Sequence, residues 1–359
     1  MSLYIGLMSG TSADGLDAAL VRINAGGVQL IDAVSLPYAT EFQTQLRLLA
    51  LQEKVSVLEV LHTERQLASY STEVITKLLQ RNQLSAKDII AIGSHGHTLR
   101  HKPQPNGITW QIDDPSWIAE HTGITCVADF RRRDIAAGGH GAPLVPAFHA
   151  AVLPISSMAL NIGGIANLTV IDAAGNAQLG FDTGPGNALI DEWCQNQLHR
   201  KFDAGGELAR SGQVVHTLLD TWLRHPYFQQ TPPKSTGREL FQLSHLGTLN
   251  EYNAVDVLAT LTELTACSIA LAVEKFGHAN GELLMCGGGV HNTYLLERLS
   301  KLLPQHSIQS TGHYGVDPDW LEAMAFAWLA QHTLKQQPSN AEAVTGAHHK
   351  CILGGVYFA

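Results

Sequence analysis

The sequence predicts an α/β fold built from two related lobes. Short apolar runs typical of buried strands alternate with longer segments of helical periodicity over the 359 residues. A strand, a glycine-bearing turn and a return strand open the chain, and the same pattern recurs near residue 155. Such an internal repeat indicates a duplicated domain, and the length suits two domains of roughly 100–200 residues each.

The first half contains a hairpin, a long helix and a further strand. Residues 3–8 and 18–23 are predicted strands, separated by a turn rich in Gly, Ser and Asp. Apolar spacing predicts a helix over 56–82, which begins with a capping box formed by Ser56 and the glutamate three residues later. Residues 89–92 form a predicted buried strand that enters a segment of Gly, Ser and His.

The second half repeats the hairpin and then becomes mostly helical. Strands are predicted at 158–162 and 168–171, on either side of a Gly-Gly turn. The remaining predicted elements are a helix over 188–201, a helix over 255–276 capped by Gly277, a strand over 282–286, a helix beyond Asn292, a helix capped by Asp317 and Pro318 that reaches 334, and a polar loop over 336–343.

Composition excludes several classes of protein. Only 15% of the residues are charged, against roughly 25% in an average soluble protein, and the net charge of −9 does not favour a nucleic-acid binder. The chain has no run of about 18 apolar residues and no signal-peptide pattern at its start, so we expect neither a transmembrane helix nor export. Five scattered cysteines without a CxxC pair indicate reduced thiols in a cytoplasm.

Three glycine-bearing turns each follow an apolar strand, at Gly10–Asp17, Asn161–Asn167 and Gly287–Asn292. Glycine lets backbone N–H groups approach an anion closely. Three such turns therefore suggest a cleft between two related lobes that binds a nucleotide. Ordinary hairpin or strand-to-helix turns are the alternative for each, since none is a Walker A loop or a GxGxxG turn.

Charged residues supply further candidates. Asp182 follows a strand and precedes a glycine turn, where it could be a general base or only a turn-stabilising residue. The run Asp129–Asp134 contains three arginines, which could bind a phosphate or carboxylate, or form a hinge or an internal ion-pair cluster. Asp14 and Asp17 could stabilise a turn or hold a metal–phosphate unit.

Two catalytic classes find no support in the motifs. The histidines near residues 95–101 and 140 form no HExxH motif and no compact set with cysteines, so no zinc site is predicted. No GxSxG turn is present, so a serine hydrolase is not predicted either.

Six motifs in order along almost the whole chain resemble the anhydro-N-acetylmuramic acid kinase family. They are Met8–Asp17, Ala128–Ala136, Asn161–Asn167, Phe181–Asn187, Cys286–Asn292 and Pro318–Met324. The resemblance implies a two-lobed actin-like ATPase fold, a ribonuclease H-like duplication with a central nucleotide cleft. It places the N-terminal lobe at 1–132 plus 335–359 and the C-terminal lobe at 133–334.

The same resemblance implies the site residues. Asp182 is the implied catalytic residue. The implied ATP-binding residues are Gly10, Thr11, Ser12, Ala13, Asp14, Gly15, Leu16, Asp17, Asn161, Gly163, Gly164, Asn167, Gly287, Gly288, Gly289 and Asn292. The implied sugar-binding residues are His97, Thr98, Arg131 and Glu322. The ligands of Mg²⁺ stay unassigned.

The resemblance also implies a reaction, in which ATP, water and 1,6-anhydro-N-acetylmuramic acid give ADP and N-acetylmuramic acid 6-phosphate in murein recycling and amino-sugar catabolism. Asp182 would take a proton from the water that attacks the anomeric carbon, and the released O6 would attack the γ-phosphoryl group beside Mg²⁺. A cytoplasmic homodimer without nucleic-acid or membrane partners is expected. The alternatives are another sugar kinase of this fold and an actin-like or Hsp70-like ATPase that does not act on sugars.

Three positions depart from the pattern of the family. His97 and His140 stand where glutamine is usual, and Asp113 stands where glycine is usual. Histidine can still donate and accept a hydrogen bond, whereas Asp113 introduces a carboxyl group.

Overall fold

The computed structural model describes residues 2–10, 12–103, 107–237 and 240–359. The chain divides into two compact units. Unit 1 comprises Met1–Phe148 and Trp320–Ala359, and unit 2 comprises His149–Asp319.

The strands and helices are as follows. The strands are β1 (Leu3–Ser9), β2 (Gly15–Asn24), β3 (Gly27–Pro37), β4 (Ile89–Lys102), β5 (Ile108–Ile112), β6 (Cys126–Ala128), β7 (Met158–Ile162), β8 (Ile165–Ile171), β9 (Ala177–Pro185), β10 (Gly281–Cys286), β11 (His306–Ser310) and β12 (Gly355–Tyr357). The α-helices are α1 (Thr40–Leu51), α2 (Val57–Arg81), α3 (Pro115–Thr122), α4 (Phe130–Ala136), α5 (Val145–Val152), α6 (Ala188–Gln197), α7 (Glu207–Ser211), α8 (His216–Leu223), α9 (Ala254–Phe276), α10 (Thr293–Leu302), α11 (Leu321–Leu334) and α12 (Glu342–Thr345). Short 3₁₀ helices lie at Ala86–Asp88, Ala204–Gly206, Pro226–Gln229, Leu243–His245, Gly288–His291 and Thr311–Tyr314.

The two units repeat one sheet topology. In unit 1 the strand order is β12-β6-β4-β1-β2-β3, with β5 on β4, and in unit 2 it is β11-β10-β7-β8-β9. Each sheet begins with three antiparallel strands, β1-β2-β3 or β7-β8-β9. A parallel strand then pairs with the first of the three, β4 with β1 and β10 with β7. The repeat predicted from the two glycine hairpins is thus present in the topology of both units.

Helix α11 lies directly against the sheet of unit 1. A Cβ atom built on Gly6 would lie 1.8 Å from the Ala323 carbonyl oxygen, and one built on Gly93 would lie 2.0 Å from the Phe326 carbonyl oxygen. Only glycine permits a backbone approach this close. Helix α11 therefore belongs to unit 1. Residues 133–148 belong to unit 1 as well. The expected lobe boundaries had placed both segments in the C-terminal lobe.

Several element ends differ from the predicted ones. The Ser56 side chain makes no capping hydrogen bond at the start of α2, so the predicted capping box there is wrong. Helix α11 begins at Leu321 after Trp320, because the Asp317 carboxylate instead accepts from the Asp319 N–H at 3.0 Å. Helix α6 ends at Gln197. Strand β3 and helix α1 were not predicted from the sequence, and they complete the sheet and the core of unit 1.

The polar segment 336–343 is not a simple exposed loop. Asn340 is 6% exposed, and its amide oxygen accepts from the Cys351 N–H at 2.7 Å. Ser339 is buried as well, and helix α12 begins within the segment at Glu342. Polar composition was misleading here because the Asn340 side chain and the Ser339 N–H form hydrogen bonds inside unit 1.

Helix α9 forms the centre of the helical layer in unit 2. It has the length and apolar composition of a membrane-crossing helix, but 72% of its most apolar 18-residue stretch is buried inside the protein. It packs on two apolar clusters, one with the β7–β10 strands and one with α6 and α8. Burial of this kind is that of a core helix.

The contact between α11 and the sheet generates a stability prediction. Gly6→Ala would force a methyl group into the backbone of α11. We therefore expect the free energy of unfolding to fall by at least about 3 kcal/mol, the upper end of the usual cost of overpacking a core. Urea unfolding followed by circular dichroism measures this. Gly281→Ala is the matched control, because a Cβ there meets no atom closer than 3.6 Å. Equal midpoints for the two variants would contradict the prediction.

Candidate nucleotide and sugar sites

The first glycine turn links β1 to β2 in unit 1. The Ala13 N–H donates to the Gly10 carbonyl at 3.0 Å, and Ala13 has a φ of 54°, in the left-handed region. The Arg47 guanidinium donates to the Ser12 carbonyl from two nitrogens, at 3.1 and 2.8 Å. Thr11, which is also implied to bind ATP, lies outside the described residues. The turn is thus held by its own backbone and by a cation from α1.

Two carboxylates flank this turn. The Ser12 hydroxyl donates to Asp14 Oδ1 at 2.6 Å, so Asp14 has the turn-stabilising role considered above. Gly15 begins β2, where a Cβ would lie 2.9 Å from the β3 backbone, and Leu16 is buried beside it. Asp17 lies one residue further along β2. Carboxylate oxygens are the ligands Mg²⁺ prefers, so Asp14 and Asp17 have the donor chemistry for such an ion.

His97 and Thr98 lie on β4 within a polar network. His97 Nδ1 is 2.9 Å from Ser9 Oγ, which accepts from the Tyr38 hydroxyl at 2.9 Å. Burial lowers the pKa of His97 to about 4, so the ring is neutral at physiological pH. Thr98 Oγ1 accepts from the Gln111 amide at 3.2 Å. Both side chains therefore have partners that fix their orientation.

Arg131 is fixed by a neutral histidine. His95 Nε2 accepts from Arg131 Nε at 3.2 Å and Nη2 at 2.9 Å, while Nδ1 lies 2.9 Å from the Gly96 carbonyl. Burial, and then the charge of Arg131, lower the pKa of His95 well below 6.5, so Nδ1 carries the proton and Nε2 accepts. Burial lowers the pKa of Arg131 to about 10, and the charge of Glu322 opposes this shift. Arg131 and Glu322, both implied to bind the sugar, thus interact within unit 1.

The three arginines of α4 do not form one anion site. Arg132 and Arg133 are exposed, and Arg132 forms a surface ion pair with Asp129 at 3.4 Å. Asp134 is fully buried and accepts hydrogen bonds from three groups of unit 1, namely the Gly141 N–H, the Asn340 amide and the Thr345 hydroxyl. Successive helix positions face different surroundings, which separates Arg131 from its neighbours.

Asp113 follows β5 and contacts β4. Its Oδ2 accepts a short hydrogen bond from the Ser94 hydroxyl, and its Oδ1 accepts from the Asp114 N–H at 3.0 Å. Burial raises the pKa of Asp113 to about 7, the two hydrogen bonds oppose the shift, and the charges of Asp114 and Glu64 add to it. The carboxyl group that departs from the family pattern is therefore partly protonated near neutral pH.

In unit 2 the strand register places three implied site residues in one row. Asn161 on β7 lies opposite Asn167 on β8, and Asn167 lies opposite Asp182 on β9. Residues directly opposite each other on neighbouring strands present their side chains to the same face of a sheet. The register between β8 and β9 shifts next to this row, since Ala166 pairs with Gly184. Such β-bulges are common beside active sites, where they redirect a side chain.

The second glycine turn is joined to the start of α6. The Gly186 and Ala188 N–H groups donate to the Gly164 carbonyl at 2.9 and 3.1 Å, and the Asn187 N–H donates to Gly163 at 2.8 Å. A Cβ on Gly186 would lie 2.3 Å from the Gly163 carbonyl oxygen. The turn and the helix N-terminus are therefore one rigid backbone assembly close to Asp182.

Segment 227–237 surrounds Asp182 and was not identified from the sequence. The Thr236 N–H donates to Asp182 Oδ2 at 2.8 Å, and the Asp182 N–H donates to the Lys234 carbonyl at 3.3 Å. The Tyr227 hydroxyl donates to the Asp182 carbonyl at 2.7 Å. The run Pro232–Gly237 has the composition of a surface turn, so nothing local indicated that it would reach a site some 50 residues earlier in the chain.

The third glycine turn follows β10. The Gly287 N–H donates to the Pro318 carbonyl at 2.9 Å, and a Cβ on Gly289 would lie 2.4 Å from Ile162. No described atom lies within 4 Å of a Cβ built on Gly288. Asn292 is the N-cap of α10, since its side chain accepts from the Leu295 N–H at 3.0 Å. Asn292 therefore has a structural role as well as its implied role in ATP binding.

A family model described as anhydro-N-acetylmuramic acid kinase matches residues 2–359. The chain belongs to the anhydro-N-acetylmuramic acid kinase family. A protein of that name from Xanthomonas campestris pv. campestris is 47% identical, over 99% of this chain and 97% of the relative. Another from Hahella chejuensis is 46% identical, over 99% of this chain and 98% of the relative. The family predicted from six motifs is confirmed.

Solved structures share the fold at low sequence identity. The activator of 2-hydroxyisocaproyl-CoA dehydratase from Clostridium difficile, solved with bound ADPNP, has a TM-score of 0.50 and 12% identity, with 93% of this chain and 96% of that chain covered. Component A of (R)-2-hydroxyglutaryl-CoA dehydratase from Acidaminococcus fermentans has a TM-score of 0.50 and 11% identity, with 91% and 96% covered. The chain has the actin-like ATPase fold, as predicted.

The protonation of Asp113 generates a prediction about stability. Its folded-state pKa is raised from 3.8 to about 7, so the native state binds a proton that the unfolded state loses as pH rises from about 4 to 7. Stability must fall over this window. Asp113→Asn keeps an uncharged polar group, and we expect it to raise the free energy of unfolding at pH 8 by about 2–4 kcal/mol, with little change near pH 4.

Denaturant unfolding at several pH values measures this effect. Asp172→Asn is the comparison variant, and its pKa shift has the opposite direction, because the Asn176 and Ala174 N–H groups lower the pKa of Asp172. That carboxylate contributes stability above its unfolded pKa, so its variant should be less stable at pH 8. An Asp113→Asn variant less stable than the parent at pH 8 would contradict the raised native-state pKa of Asp113.

Proposed function

We propose that the chain is an anhydro-N-acetylmuramic acid kinase. It uses ATP and water to open 1,6-anhydro-N-acetylmuramic acid and forms N-acetylmuramic acid 6-phosphate and ADP. Family membership over residues 2–359 supports the substrate and the reaction class. The structural observation that supports the proposal best is the register of β7, β8 and β9, in which Asn167 lies opposite both Asn161 and Asp182.

Asp182 acts as the general base. The Thr236 N–H holds Oδ2 at 2.8 Å, so one carboxylate oxygen is fixed by the backbone and orients the other. The carboxylate takes a proton from a water that attacks the anomeric carbon, as the base of an inverting glycosidase does. The anomeric carbon–O6 bond breaks, O6 attacks the γ-phosphorus, and the bond from that phosphorus to the β-phosphate oxygen breaks to release ADP. No separate acid therefore has to protonate the leaving O6.

The phosphates are bound by backbone loops. In unit 1 the loop is 10–17, and in unit 2 it is the 163–164 turn with the N-terminus of α6. Backbone N–H groups at such turns bind phosphate oxygens. Mg²⁺ supplies charge neutralisation on the β- and γ-phosphates when bound, and Asp14 and Asp17 are the carboxylates that would hold it. One or two carboxylates plus phosphate oxygens form a usual Mg²⁺ site.

The sugar is recognised by residues of unit 1. Arg131, which His95 holds in place, and Glu322 provide opposite charges that attract each other, and Thr98 provides a hydroxyl. His97 contributes a neutral ring, whose Nδ1 is already engaged by Ser9. A carboxylate such as that of the lactyl group suits a guanidinium held in a rigid geometry.

The cellular setting is also part of the proposal. The five cysteines are free, and all except Cys267 are buried, as suits a reducing cytoplasm. Large apolar side chains are exposed on α1 and α2, among them Leu51, Val57 and Leu58 at 79%, 74% and 62%. This face supports a homodimer, which light scattering would detect. Acting in murein recycling and amino-sugar catabolism, the dimer needs no nucleic-acid or membrane partner.

Substitution of the base tests the assignment of Asp182. Asp182→Asn keeps the acceptor for the Thr236 N–H but loses the basic oxygen, so we expect kcat to fall by at least about 10³-fold with the Kd for ATP unchanged. A coupled assay of ADP release and calorimetric ATP titration measure the two quantities. Asp220→Asn is the control, because Asp220 is an exposed acid on α8, outside both the row and the proposed phosphate loop. Near-normal turnover by Asp182→Asn would contradict the assignment of Asp182 as the general base.

Oxygen-18 water tests the reaction itself. The attacking water should leave its label on the anomeric hydroxyl of the product, which mass spectrometry detects if the reaction is stopped before mutarotation exchanges the oxygen. A kinase that phosphorylates a free hydroxyl gives unlabelled product. ADP release that does not depend on the anhydro-sugar would instead indicate an ATPase of another kind.

A further inference from the structure

Lys234 lies in an aromatic and carbonyl environment next to the proposed base. Its Nζ is 4.6 Å from the centre of the Tyr227 ring and 5.6 Å from that of Phe181, and it donates to the Tyr227 carbonyl at 3.2 Å. Two aromatic rings and one carbonyl oxygen therefore surround the ammonium group. Phe181 directly precedes Asp182 on β9, so the residue that packs against the cation is the neighbour of the base.

The charged and titratable groups around this position form a small set. The pKa of Lys234 is lowered by burial and by Lys275 of α9, and the carboxylate of Asp182 raises it. Burial and the charge of Asp182 raise the pKa of Tyr227, so its hydroxyl stays protonated and donates to the Asp182 carbonyl. Lys234 is therefore a cation that interacts favourably with Asp182.

The same segment holds Asp182 through its backbone. Thr236, two residues after Lys234, donates its N–H to Asp182 Oδ2, and the Lys234 carbonyl accepts from the Asp182 N–H. The Thr236 hydroxyl is buried and has no hydrogen-bond partner within the described part of unit 2. A buried hydroxyl without a partner is unfavourable, which fits a position that a bound ligand or water completes.

We propose that Lys234 and Thr236 are positioning residues for Asp182. The Thr236 N–H fixes one oxygen of the carboxylate, and the Lys234 ammonium favours its ionised form, in which it can accept a proton. This inference rests on the proposed function, because it assigns Asp182 a proton-transfer role. A cation near a carboxylate favours the charged form, and the effect is stronger where water is excluded.

The decisive experiment compares Lys234→Met with Lys234→Arg and Lys275→Met. Removal of the Lys234 charge should raise the pKa of Asp182, so the acid limb of the kcat–pH profile should move upward by about 0.5–1 pH unit. Lys234→Arg should keep the parental limb. Lys275→Met removes a neighbouring charge that lowers the pKa of Lys234, and it should not move the limb upward.

A second measurement does not depend on activity. With ¹³C-labelled aspartate, the carboxyl resonance missing from Asp182→Asn identifies Asp182, and its titration should shift upward by the same amount in Lys234→Met. Thermal unfolding checks that this variant is folded. An unchanged titration and acid limb, in a parent that turns over the anhydro-sugar, would overturn the inference. So would an increased KM for ATP or sugar with an unchanged limb, since Lys234 would then bind ligand directly.

The proposed function fails in a different way. If the parent protein releases no ADP with the anhydro-sugar, the proposed reaction is wrong, whereas the NMR titration of Asp182 still reports whether Lys234 shifts its ionisation.

Discussion

Unit 1 depends on the direct contact between the backbone of α11 and strands β1 and β4. The two glycines at this contact, Gly6 and Gly93, leave no room even for a methyl group, so the helix can lie on the sheet only where both are present. The contact also determines the position of Glu322 in the first turn of α11, within electrostatic range of Arg131. A packing constraint in the core thereby sets the geometry of two residues proposed to bind the sugar.

Unit 2 also brings its elements close together at glycines that leave no room for a side chain. Gly186 lies against the Gly163 carbonyl, and a Cβ on Gly287 would lie 2.2 Å from Asn161 Oδ1. These approaches join the hairpin turn, the start of α6 and the end of β10 around one row of polar side chains. Glycine here has a conformational and steric function at the same positions where backbone N–H groups can approach phosphate. That explains why a chain poor in charge is rich in glycine.

The sequence predicted the parts of the structure that depend on local pattern. The two hairpins, the long helices α2 and α9, and the family followed from periodicity and motifs. Helix ends were less predictable, since Ser56 and Asp317 have the residue types of caps but do not cap. The environment of Asp182 could not be predicted at all, because Lys234 and Thr236 reach it through tertiary contacts over about 50 residues. Register and bulges set those contacts, and neither leaves a local signature.

Burial controls charge in both units, with different results. Around Arg131 it keeps His95 neutral, so that one nitrogen accepts from the guanidinium and the positive charge stays on Arg131. Asp113 shows the opposite case, since burial and the negative charges of Asp114 and Glu64 favour the protonated acid. Asp182 accepts a backbone N–H and is attracted to the Lys234 ammonium. Asp113 also accepts a backbone N–H, but the charges that shift its pKa are negative. A general base must be ionised before it can accept a proton. Both residues are aspartates, so their different partners are the reason that Asp182 suits proton transfer and Asp113 does not.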